Sequence, residues 1–214
     1  QQISHVNLQY SKTIGRGEAF GPGFTYPIQM ARGEGDLMYV LCRATEYAPH
    51  GTRVTVCTVE EEYINAFARG VPQQGMHVFN PDDGSLVWPT AIAVDSQWNV
   101  YTADEWLNRI SIFTKEGEWI GKWGTPGDAD GEINCPSGLA FDAHDNLYLV
   151  DSRNNRVQIF NKEGKFLSKW GTAGSGDGEL NIPWGIEIDR NGDVYVADWR
   201  NDRIQKFSPD GRFL

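Results

Sequence analysis

Apolar and polar residues alternate in short runs along most of this chain, and each run ends at a turn. Pro89–Asp95, Asn99–Asp104, Asn108–Phe113 and Gly117–Trp123 are four such runs in succession, rich in Val, Ile, Phe, Tyr and Trp. A period of two with β-branched and aromatic residues predicts strands. No segment sustains a 3.6-residue period, so few helices are expected. The turn between third and fourth strands ends in glycine (Lys115–Gly117, Lys162–Gly164, Pro209–Gly211), which supplies the positive φ of a tight hairpin.

The four-run pattern repeats without gaps. Pro89, Pro136 and Pro183 are 47 residues apart, as are Trp123 and Trp170. The copy from Pro183 stops at Gly211–Leu214, before a full fourth strand. A degenerate copy precedes the three: Phe24–Pro27 leads into Ile28–Ala31, then Asp36–Cys42, Arg53–Cys57 and Glu62–Phe67. Its excess length falls in Ala44–Thr52 and Val71–Asp83. Repeats of this period cannot bury their faces alone and stack on one another. The expected organisation is one domain: an N-terminal strand in 1–19, a divergent unit in 20–75, units in 76–124 and 125–171, and a unit lacking its outer strand in 172–214.

Pro183–Asp189, Val194–Asp198 and Asp202–Phe207, with the Gly176–Pro183 lead-in, resemble the NHL repeat. The resemblance is specific over Pro89–Leu214 and looser over Phe20–Phe67. It implies an all-β fold, a β-propeller of four-stranded antiparallel blades, most often six of them. Four are visible here. Tyr10–Gly15 is similar to Leu167–Gly171, so the N-terminal strand is expected to complete the last blade and remove its edge. A closed four-blade ring, a partial ring completed by self-association, and part of a six-blade ring all fit this pattern.

Features common to every copy point to the fold. Asp104/Arg109, Asp151/Arg156 and Asp198/Arg203 flank the loop between second and third strands, where carboxylate and guanidinium can meet. Features in which the copies differ point to function. In a propeller the second-to-third and fourth-to-first loops share one face around the channel mouth. That face would carry Trp106, Trp184 and Trp199 beside Arg153 and Arg200, the composition of a binding hot spot, or of aromatic caps on the blades. Glu187 stands where other copies have Ala31, Ala93 and Ala140. Near the axis it suits a cation or a general base, or is a Glu satisfied by backbone or water. Glu187 and His50 are the first suspects for any catalytic role. Asp128–Glu132 has a superficial calcium-loop look but lacks the twelve-residue pattern, and reads as a repeat turn.

Net charge is −10, which disfavours a phosphate backbone as partner. The favoured function is a binding or scaffold module recognising a protein or peptide, or a small ligand. The alternative is a propeller-type hydrolase or lyase with a metal or carboxylate site at the channel mouth. No cofactor is expected, with a structural or channel-bound divalent cation as the exception. No apolar run of 18 or more residues is present, so no membrane-spanning helix is expected. The chain opens at Gln1 without initiator Met or leader, as in a processed or excised piece, with a lean towards secretion or the periplasm. Cys42, Cys57 and Cys135 match no disulfide framework or zinc spacing; Cys42 and Cys57 are either bridged or two buried thiols.

Overall fold

The computed structural model describes residues 23–44, 51–70 and 83–214. The expected N-terminal strand, His5, His50, His77 and most of the two insertions of the first unit lie outside them. The described chain forms four successive antiparallel sheets. The first is β1 (Pro27–Arg32), β2 (Leu37–Cys42), β3 (Arg53–Thr58) and β4 (Tyr63–Phe67). The second is β5 (Pro89–Val94), β6 (Val100–Asp104), β7 (Arg109–Phe113) and β8 (Trp119–Trp123). Two-residue strands β9 (Thr125–Pro126) and β10 (Glu132–Ile133) pair in parallel before the third sheet. That sheet is β11 (Pro136–Phe141), β12 (Asn146–Asp151), β13 (Arg156–Asn161) and β14 (Phe166–Trp170). A second parallel pair, β15 (Thr172–Ala173) and β16 (Glu179–Leu180), leads to β17 (Ile186–Ile188), β18 (Val194–Asp198) and β19 (Arg203–Phe207). The chain is an all-β propeller arrangement of four blades, the last with three named strands. Among the described residues its outer strand is one bridge, Phe207 to Phe213.

Period-two patterning produces this stack because both faces of an inner blade are buried. All five residues of β6 are buried. Val100 packs into the core shared with the first blade, while Tyr101 and Ala103 pack into that shared with the third. The seams repeat the same bonds. Tyr39, Tyr101 and Tyr148 donate their hydroxyls to the carbonyls of Lys115, Lys162 and Pro209 in the following blade, at 3.1, 3.4 and 3.3 Å. Asn108 and Asn155 accept from the Cys135 and Ile182 amides, both at 2.7 Å. The outer aromatic of each blade lies over the next blade's hairpin glycine: Phe67 over Gly117, Trp123 over Gly164, Trp170 over Gly211.

Ion pairs to a buried carboxylate hold two of the second-to-third loops. Arg156 Nε donates to Asp151 at 2.7 Å and Arg203 Nε to Asp198 at 2.9 Å. The second blade departs from this expectation. Asp104 accepts four backbone amides, from Val87, Trp88, Trp106 and Leu107. Arg109 turns instead to the Ser85 carbonyl at 2.5 Å, and its Nε has no partner among the described residues. Four backbone amides bind this carboxylate, where the third and fourth blades combine one backbone amide, two side-chain amides and a guanidinium.

Cys42 and Cys57 are buried free thiols on one side of the first blade, and burial pushes both above the ordinary thiol range. Among the described residues no helix is long and apolar enough to cross a membrane. The fourth blade presents an open face: Tyr195, Ala197, Ile204 and Lys206 occupy the positions of Tyr148, Val150, Val157 and Ile159. Val157 is fully buried, whereas Ile204 is 73% exposed.

Candidate functional site: the loop face

Backbone bonds join the two loop sets that define this face. Glu105 N donates to the Trp88 carbonyl at 3.1 Å, Arg153 N to Asn134 at 3.2 Å and Arg200 N to Asn181 at 3.1 Å. Each second-to-third loop is therefore tied to the segment entering its own blade. In the third and fourth blades the loop is a single 3-10 turn, Ser152–Asn154 and Trp199–Asn201, closed by a left-handed residue, Asn155 or Asp202. Among residues other than glycine, short polar side chains tolerate that conformation best.

On this frame sits an aromatic and cationic cluster. The Trp184 and Trp199 rings meet edge-on at 5.9 Å, and the Arg200 guanidinium lies 4.6 Å over Trp199. Trp184 is 37% exposed and Trp199 52%. Neither Arg153 nor Arg200 has a carboxylate within ion-pair distance among the described residues, and both are exposed. Trp106, 50% exposed, occupies the position of Arg153 and Arg200 one and two blades earlier. Trp184 replaces hydroxyl residues. Thr90 donates to the Pro136 carbonyl at 2.6 Å and Ser137 to the Trp184 carbonyl at 2.9 Å, each stitching its blade to the next.

A second group on the same face was not singled out from sequence. Arg43 lies 4.6 Å over the Trp88 ring and reaches Glu105 at 3.4 Å. Burial raises the Glu105 carboxyl above its ordinary range, against the lowering influence of Arg43, Arg153 and the Trp88 side chain. Arg43, Glu105 and Trp199 share one repeat position, directly after the Cys or Asp that ends the second strand. Comparing copies at that position would have found them.

Glu187 lies away from this face, on innermost strand β17, opposite Tyr195 of β18. Burial raises its carboxyl, and no hydrogen bond or ion pair reaches it among the described residues. The Asp128–Glu132 turn closes on itself: Glu132 accepts from Ala129 N at 3.1 Å, and Arg156 binds the Asp128 carbonyl at 2.8 Å.

A family model described as a 6-bladed beta-propeller (DUF5128) matches residues 138–214. No curated protein matches the chain. Among solved structures, a streptogramin B lyase superposes with a TM-score of 0.61 at 12% identity, over 89% of this chain and 54% of that one. A virginiamycin B lyase from Staphylococcus aureus, in complex with quinupristin, gives 0.60 at 14% identity, over 89% and 55%. A chain of the nidogen/laminin complex gives 0.60 at 17%, over 86% and 60%. The chain folds as a β-propeller. It spans little more than half the length of these structures, and at such identities the likeness concerns the fold alone.

Proposed function

We propose that the chain is a binding module that recognises a protein or peptide through its loop face, with Trp184, Trp199 and Arg200 as anchors and with Trp106 and Arg153 on the loops of earlier blades. The observation that carries this reading is the exposed Trp184–Trp199–Arg200 stack, built where earlier blades use a hydroxyl for an inter-blade bond. Large rigid rings beside an exposed guanidinium offer contact area at low entropic cost. The nidogen/laminin likeness shows that this fold occurs in a protein–protein complex. The repeat is taken as NHL-type. The open fourth-blade face supports a ring completed by further blades, from a longer polypeptide or a second copy, with the boundaries at residues 75, 124 and 171 as blade limits.

Selection of a displayed random-peptide library on the wild-type protein tests this. Peptides enriched on it should lose binding to Trp199→Ala and Arg200→Ala variants. Equal binding to the double variant would overturn the choice of face. A hydrolase or lyase reading draws on the raised carboxyls of Glu105 and Glu187 and on the lyases among the structural neighbours. Turnover abolished by Glu105→Gln or Glu187→Gln would favour it.

A further inference from the structure

The fourth blade begins its outer strand in the register of the other blades and then leaves an edge open. Phe213 meets Phe207 edge-on at 6.1 Å, as Phe166 meets Phe160. Leu214 N donates to the Lys206 carbonyl at 2.9 Å. Bonds to one neighbouring strand fall on alternate residues, so Ile204 turns its N–H and C=O to the same side as Lys206. Its counterparts Ile110 and Val157 pair with Trp123 and Trp170, whereas Ile204 has no outer partner among the described residues. A bare edge of this kind is a template for another strand.

Two side chains beside that edge lack the contacts an outer strand provides elsewhere. In the third blade Gly131 N donates to Gln158 Oε1 at 3.0 Å, which sets Asp130 beside β13. Lys169, opposite Gln158, then pairs with Asp130. Lys122 and Asp83 pair likewise at 2.6 Å in the second blade. The fourth blade repeats the anchor: Gly178 N donates to Gln205 Oε1 at 2.9 Å, and Arg203 holds the Gly176 carbonyl at 2.6 Å. Asp177 is therefore placed as Asp130 is, yet it is exposed and has no ion pair among the described residues. The other side chain is Ile204. Val157 is buried in one core with Trp170, while Ile204 is largely exposed.

The geometry points to β19 as the acceptor for an extended partner segment that reads small residue, lysine, aromatic, glycine. The segment runs antiparallel to β19 and pairs its backbone with Ile204. Its lysine meets Asp177, and its aromatic ring lies against Ile204. Main-chain pairing supplies affinity and the two side chains supply specificity. Gly121–Gly124 and Ser168–Gly171 carry this pattern and are already used in their own blades. Lysine followed by an aromatic residue and glycine occurs nowhere else in the sequence, so the donor lies outside these 214 residues. Asp177 and Ile204 are not anchors of the loop face, and either surface can fail without the other.

The test uses a fluorescein-labelled peptide, Lys-Phe-Leu-Ser-Lys-Trp-Gly, copied from residues 165–171. Its Phe-Leu can replace Phe213 and Leu214, which hold the edge by one bridge and one amide bond. Fluorescence anisotropy with the full chain should show saturable binding at millimolar concentration or below. Alanine for the peptide's tryptophan should weaken it about tenfold, and glutamate for its second lysine about threefold. Asp177→Lys should reverse the preference between the lysine and glutamate peptides; if that variant fails to fold, Asp177→Asn should abolish the preference. Hydrogen exchange should slow over Arg203–Phe207 when the peptide binds. No saturable binding, or a lysine preference unchanged in the Asp177 variant, would overturn the assignment. Protection at Trp199 and Arg200 with β19 unchanged would credit the peptide to the loop face and overturn it as well.

Discussion

Trp123 of the second blade covers Gly164 of the third so closely that a Cβ on Gly164 would lie 2.4 Å from the indole Cγ. The Trp123 ring also stacks 4.8 Å from Phe160. The glycine is required twice, for its φ of +84° and for the space above it. The same relation recurs for Phe67 over Gly117 and Trp170 over Gly211, so these seams have one design.

Gly164→Ala should therefore destabilise the protein by roughly 2–4 kcal/mol, combining left-handed strain with overpacking. Gly121, where a Cβ would meet nothing within 4 Å, is the control and should tolerate alanine with little change. Urea midpoints of the two variants check this.

The two kinds of Asp/Arg arrangement should separate on mutation. Arg156→Ala leaves Asp151 buried without its ion-pair partner, a loss of about 3–5 kcal/mol. Arg109→Ala removes a guanidinium that makes no hydrogen bond to Asp104, and should cost less, about 1–3 kcal/mol. Equal losses in denaturant unfolding would contradict the bonding described for the second blade.

Glu187 sets a pH signature. Burial raises its folded-state pKa above the unfolded value, so the folded state resists its ionisation. The resulting penalty is absent below the unfolded pKa and grows as pH rises through that value towards the folded one. Glu187→Gln should raise the thermal midpoint at neutral pH. The difference should vanish in acid below the ordinary carboxylate range.

Tyr39 behaves similarly at the alkaline end. Burial, with help from Glu116 and Glu34, pushes its hydroxyl up to about 12. Its neutral form is favoured in the fold, so the first seam should weaken as pH climbs from the ordinary tyrosine value of 10 towards 12. Tyr39→Phe should flatten that part of the stability profile.

The loop-face cluster should be nearly silent in stability. Trp199 and Arg200 are exposed and stack on each other, so their alanine variants should stay within about 0.5 kcal/mol of wild type. A large loss would make the stack a cap on the fourth blade rather than an anchor.

The blades were legible in the sequence because each is a local object: period-two runs, a hairpin glycine and a fixed 47-residue interval are written in order along the chain. The degenerate first blade was legible for the same reason, with strands at Pro27–Arg32, Leu37–Cys42, Arg53–Thr58 and Tyr63–Phe67. The Asp104–Arg109 pairing was misjudged because the competing amides come from Val87 and Trp88, far back in the chain. Arg43 and Trp88 were passed over because they meet only when two blades stand side by side. Sequence alone thus determined the repeat, its strands and its turns, since neighbouring residues dictate them. Only the tertiary structure decided which side chains face a neighbour, which face solvent, and that Asp177 and Ile204 border one open edge. Those relations depend on how blades stack, a long-range packing outcome that no single repeat encodes.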